Sequence, residues 1–242
     1  MSGLLYKNFR INRTSLLFSL ITQLLCSAVI LLVCFFQGGK PFDEEGANSA
    51  VLIFSLLYYL GSMLPAMATS EIFRTDEGKT ACSFAMALPT GAKGHVESKY
   101  YFILIENLII MFIGFVTDTL TVALTGGTVS LTMIVVMIFC WRMMISSVEI
   151  PFMIRFGSQR GMSIKGAVVG IILMLGWIWF LFGDISFLLD SDDPFEAFIE
   201  FMQSGDIIFW LSFFPYISMI MYYLSCRISV KIYRKGAETY EQ

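Results

Sequence analysis

The chain has 242 residues, 57% of them hydrophobic, and six apolar stretches take up so much of it that no sizeable soluble domain remains. The formal net charge is −3, without the basic excess that binds nucleic acid. One histidine and five cysteines, none of the cysteines in a predicted outer loop, exclude a Cys/His zinc site and an exported disulfide framework.

Residues 1–15 read as a helix lying in the membrane interface. Within Gly3–Arg13, Leu4, Leu5, Tyr6 and Phe9 are mixed with Lys7, Arg10 and Arg13. An apolar side can then face acyl chains and a basic side lipid phosphates; a flexible basic tail is the plainer alternative. The first apolar run, 16–36, is longer than a signal-peptide core and no small-x-small cleavage site follows it, so it is expected to stay as a first helix.

Five more runs follow, at 50–68, 101–124, 129–152, 167–183 and 207–226. A helix needs roughly 20 apolar residues to cross the hydrocarbon core, which makes 50–68 adequate and 167–183 short. The outer loop 37–49 is acidic, with turn signals at Gly38-Gly39 and Lys40-Pro41. Tyr58 and Tyr59 fall in the middle of the second run. With Ser55 and Ser62 they either line a polar-aromatic path or pack against other helices. Segment 69–99 is the longest stretch outside the spans. Leu88-Pro89 breaks any helix there, and a short helix is expected from Lys93 into the third span. The turn at 125–128 is so short that the third and fourth spans must be antiparallel neighbours. In 184–206, Asp193-Pro194 reads as a helix N-cap with proline at the first position. Phe195, Phe198, Ile199 and Met202 then oppose Glu196 and Glu200, as in an amphipathic helix resting on the outer surface or over the end of the bundle.

Charge orients the spans. Lys7, Arg10 and Arg13 precede the first; Arg74, Lys79, Lys93 and Lys99 lie between the second and third. Arg155, Arg160 and Lys165 lie between the fourth and fifth, and Arg227, Lys231, Arg234 and Lys235 follow the sixth. The opposite loops hold a single basic residue, Lys40, so both termini are expected in the cytoplasm.

Three ionisable residues fall inside spans: Glu106 in the third, Arg142 and Glu149 in the fourth. An unpaired charge at such depth costs at least ~2.5–3.5 kcal/mol. Arg142 is therefore expected to pair with Glu106, Glu149 or both, either as a structural pin between helices or as an ion relay. Asp118, near the outer end of the third span, is expected to be solvated. Gly78-Lys79-Thr80 is not a phosphate-binding loop, because Phe73 occupies the position five before Gly78 where that loop needs glycine. The spans hold no histidine and no Ser–Lys or His/Glu set, which disfavours an intramembrane enzyme.

Three features of the inner segments carry a family resemblance. They are Glu71-Ile-Phe-Arg-Thr-Asp76-Glu77-Gly78, then Ala87-Leu88-Pro89, then Ser98-Lys99-Tyr100. Pro151 with Arg155-Phe156-Gly157 and Arg160, and the opening Gly3-Leu4-Leu5-Tyr6-Lys7-Asn8-Phe9, add to it. Together they resemble the permease subunits of type-2 ABC exporters, and among these the small six-helix bacterial permeases that include exporters of phenol-soluble modulins.

The resemblance implies an all-α integral membrane protein of the bacterial plasma membrane. It would be a single transmembrane domain over 1–242, with six helices, both termini inside and a coupling helix in 69–99. Two such chains, identical or closely related, would form the path. Two cytoplasmic ATPase subunits would bind ATP and Mg²⁺, leaving this chain without a cofactor or catalytic site. Glu71, Phe73, Arg74, Asp76, Glu77, Leu88 and Pro89 would engage the ATPase, and Tyr58, Ser62, Met174 and Trp177 would lie near the substrate. The acidic outer rim and aromatic-rich helices suit amphipathic peptides as cargo. The competing expectation is an ion-coupled secondary transporter built on Glu106, Arg142 and Glu149.

Overall fold

The computed structural model describes residues 2–37, 43–66, 69–74, 91–182 and 205–238. Among them are eight helices: α1 (Ser2–Ile11), α2 (Arg13–Phe36), α3 (Glu44–Ala66), α4 (Thr69–Arg74), α5 (Gly91–Leu124), α6 (Thr132–Phe156), α7 (Ser158–Phe182) and α8 (Gly205–Glu238). Five segments are long and apolar enough to cross a membrane: α2, residues 46–63 of α3, α5, α6 and residues 158–178 of α7. The predicted run 207–226 lies within α8, which is not among those five. The predicted outer segment 184–206 falls outside the described residues except for the start of α8.

The helices run past the apolar runs that announced them. α5 begins at Gly91, ten residues before the predicted span, and at 34 residues is about 50 Å long. That exceeds a hydrocarbon core of about 30 Å, so a substantial length projects beyond it. α6 ends at Phe156 and α7 starts at Ser158, so the expected inner loop shrinks to Gly157 at φ +89°. Arg160 and Lys165 are thus inside a helix. On the other side, Gly126 and Gly127 take positive φ of 64° and 89° to reverse the chain between α5 and α6.

Asp118 departs from expectation. It is buried, not solvated, and accepts hydrogen bonds from the Leu131 backbone N–H and the Ser130 and Thr132 hydroxyls. The tight turn folds the start of α6 back over the end of α5. A carboxylate there caps the positive end of α6 and satisfies donors that the helix cannot.

The packing is inverted relative to a water-soluble bundle. The buried face of α2 carries Ser19, Gln23, Ser27, Ile30 and Cys34, whereas Leu17, Phe18, Ile21, Leu24, Leu25 and Val29 point outward. An apolar outer face over a small, polar inner face is what lipid selects, because helix association there rests on close packing and interhelical hydrogen bonds. Two apolar clusters fill the interior. One joins Ile72, Phe73, Val96, Tyr100, Phe102, Ile103, Met143, Ile150, Met153 and Tyr222. The other joins Ile30, Cys34, Ala50, Phe54, Tyr58, Val129, Leu131, Val135 and Ile138. Along α5 and α6, Glu106, Asn107 and Arg142 fall between the two.

Candidate functional site

The layer between the clusters is built around Arg142. Its Nη2 lies 3.8 Å from Glu106 Oε1, its Nε donates to Asn107 Oδ1 at 2.5 Å, and its Nη1 donates to the Ser62 backbone carbonyl. Ser19 Oγ donates to Glu106 Oε1 at 3.1 Å. A single guanidinium thus draws α3, α5 and α6 together, and its partner carboxylate adds α2. The two side chains are 5% and 8% exposed, so both charges are desolvated and each depends on the other. Glu149, two turns C-terminal to Arg142 on α6, is also buried.

Asn107 and Ser19 were not singled out by reading the sequence. Asn107 is a neutral residue beside a charge. Ser19 had a usable signal, since Ser19, Gln23 and Ser27 recur every four residues and so share one face of an apolar helix.

One turn before Ser62 on α3, Tyr58 is buried and its hydroxyl donates to the Ile110 carbonyl at 2.9 Å. It occupies the space that a Cβ on Gly114 would need. Ser62 is also fully buried, on the same face of α3 as Tyr58. Met174 and Trp177 are instead exposed on α7, Trp177 by 64%. The four residues expected near substrate therefore divide between the bundle interior and its outer surface.

A second constellation lies in the cluster that holds Ile72, Phe73 and Tyr100. α4 packs against α6 and α7. Phe73, expected to reach a partner, is only 4% exposed and sits among the core side chains. Lys99 of α5 is equally buried; its Nζ donates to the Ile72 carbonyl at 3.2 Å and lies 4.5 Å from the centroid of the Phe73 ring. The Ile72 carbonyl is among the last four of α4, which have no partner within the helix, and an ammonium suits that end. Arg74 is exposed at the end of α4. Of the remaining expected partner contacts, Asp76, Glu77, Leu88 and Pro89, like the Glu71 side chain, lie outside the described residues.

An all-helical, apolar-faced bundle with a short helix docked beside a long one now has a family context. A family profile described as ABC-2 family transporter protein matches residues 3–234. The chain belongs to that family. This ABC-2 permease is accordingly a multi-pass membrane protein and the membrane component of an ABC transporter. Such permeases are typically non-catalytic transport subunits, and the family implies an ATPase partner. No curated protein and no solved structure matches the chain.

Proposed function

We propose that this permease is one half of an ATP-driven exporter that moves amphipathic peptides out of a bacterial cell by alternating access. The chain crosses the plasma membrane six times, α8 included, with both termini in the cytoplasm. A second permease chain, identical or closely related, completes the path, and two ATPase subunits dock on segment 69–99.

The observation that carries this reading is the family match over nearly the whole chain, joined to the docking of α4 against the inner bundle through Lys99. The charge asymmetry of the loops supports the orientation. Ten acidic residues in the predicted outer segments, from Asp43 to Asp206, support cationic or amphipathic cargo.

The test is affinity purification from native membranes in mild detergent, followed by ATPase assays with amphipathic peptides, lipids and small drugs. A stoichiometric nucleotide-binding subunit stimulated by peptides is the expected result. Stimulation by lipids or drugs alone sinks the peptide assignment. A partner-free chain that still transports moves the function to ion coupling at Glu106, Arg142 and Glu149.

A further inference from the structure

Three consecutive residues of α5 reach three different elements. Successive positions on a helix point about 100° apart, so Ser98, Lys99 and Tyr100 together sweep more than half of its circumference. Ser98 Oγ accepts from Asn8 Nδ2 of α1 at 3.2 Å and donates to the His95 carbonyl at 2.8 Å. One turn on, Phe102 meets Phe9 of α1 with ring centroids 4.8 Å apart. Lys99 holds α4 through the Ile72 carbonyl and the Phe73 ring. Tyr100 OH lies 2.7 Å from Ser225 Oγ and 2.8 Å from Ser229 Oγ, both on α8, and the Tyr222 hydroxyl donates to the Tyr100 carbonyl at 2.7 Å.

The direction of the Tyr100 chain follows from donor counting. Ser225 Oγ donates to the Ser147 carbonyl of α6 at 2.5 Å, an atom that can only accept. The single Ser225 proton is thereby used, so Ser225 accepts from the Tyr100 hydroxyl. Tyr100, its own proton spent, accepts from Ser229. The bonds run one way: Ser229 to Tyr100 to Ser225 to Ser147. All the side chains in this chain are buried, where hydrogen bonds are stiff and breaking one leaves an orphaned group.

α4, with six residues, is too short to hold its helix alone and keeps its shape by docking. Lys99 fixes it to α5 by a charge-assisted bond and a cation–π contact inside the bundle. We propose that Ser98, Lys99 and Tyr100 form the joint that converts displacement of α4 into movement of α1, α6 and α8, with Lys99 as the positioning residue that engages α4. This rests on the ABC-exporter reading and names the residues through which ATPase motion enters the bundle.

The test uses the permease in complex with its copurified ATPase in lipid nanodiscs. A Met133→Cys reporter is placed in a chain whose five native cysteines are replaced. Met133 lines the cleft between α6 and α8 together with Met137, Cys140 and Pro215, so relative movement of the two helices changes its reactivity. N-ethylmaleimide labelling is compared without nucleotide and with ATP plus vanadate.

In the parent complex the labelling rate is expected to change by about fivefold or more, the lower range of common allosteric couplings. Lys99→Met keeps the apolar stem but loses the donor and the charge. It is expected to leave ATP hydrolysis in place and abolish the labelling change, with Lys99→Arg restoring it. A Lys99→Met complex that responds as the parent does overturns the proposal alone, as does a parent that hydrolyses ATP with no change at residue 133. If Lys99→Met fails to assemble, Tyr100→Phe, which removes one hydroxyl, decides by the same two outcomes. A parent that brings down no ATPase overturns the joint and the exporter reading together.

Discussion

The Ser225 hydroxyl of α8 donates to the one backbone carbonyl of α6, that of Ser147, which Pro151 leaves without an in-helix donor. Proline at position 151 has no N–H, so the carbonyl four residues earlier would be orphaned in a medium that offers no water. α8 supplies the missing donor, and α6 continues through the proline to Phe156.

Removing that donor with Ser225→Ala is expected to cost about 1–3 kcal/mol, the penalty of an unsatisfied buried acceptor. In a Pro151→Ala background, where the backbone N–H is restored, the cost is expected to fall to the part owed to the Tyr100 hydroxyl, which loses its acceptor in both backgrounds. Thermal unfolding of the four chains in detergent makes the comparison. Equal costs in both backgrounds mean that the carbonyl is not what Ser225 serves.

Arg142→Leu leaves Glu106 charged and unpaired inside the bundle. A loss of about 3–5 kcal/mol, seen as reduced yield and lower Tm, is expected. Replacing both residues, with Arg142→Leu and Glu106→Met, is expected to recover most of it. If Arg142→Leu folds normally but no longer transports, the pair is a relay rather than a clamp.

Asp118→Ala removes the cap on α6 and is expected to destabilise by about 0.5–2 kcal/mol, with Asp118→Asn losing less. Tm of the purified chains reads the difference. An alanine variant as stable as its parent shows that the donors at Ser130, Leu131 and Thr132 are satisfied in another way.

Gln23 is fully buried on α2, and neither its Oε1 nor its Nε2 has a hydrogen-bond partner among the described residues. Gly61 faces it so closely that a Cβ there would come within 3.0 Å of Gln23 Oε1. An orphaned amide in that position is a standing cost, so Gln23→Met, close in shape and apolar, is expected to stabilise the chain by about 1 kcal/mol. A lower Tm for Gln23→Met means that the amide has a partner in the folded protein.

The presence of long apolar helices was legible in the sequence because hydrophobic run length is an additive, local quantity. A pairing of Arg142 with Glu106, Glu149 or both was expected from the cost of isolated charges in apolar runs, and the structure holds Glu106 and Arg142 3.8 Å apart. Rotation about each helix axis was not legible. A helix that is apolar almost all round gives no periodic signal for its inward side, so nothing pointed to Asn107 as a ligand of Arg142 or to Ser225 facing Tyr100. Asp118 was misread for a related reason. Its depth suggested water, but the turn at Gly126 and Gly127 brings the first residues of α6 over it. The resemblance alone pointed to Phe73, and no periodic signal in the sequence pointed to the buried Lys99 ammonium 4.5 Å from its ring.

α5 runs from Gly91 to Leu124, and Glu106 and Asn107 stand at its midpoint. Held there by Arg142, a rod with arms of about 25 Å each has the geometry of a lever with a central pivot. Lys99 stands about 12 Å from Asn107 on one side and Asp118 about 17 Å on the other, so a tilt about that pivot would move them in opposite senses. Asp118 is bonded to the start of α6. Such a tilt would link the two ends of α5 with no change in the length of any helix.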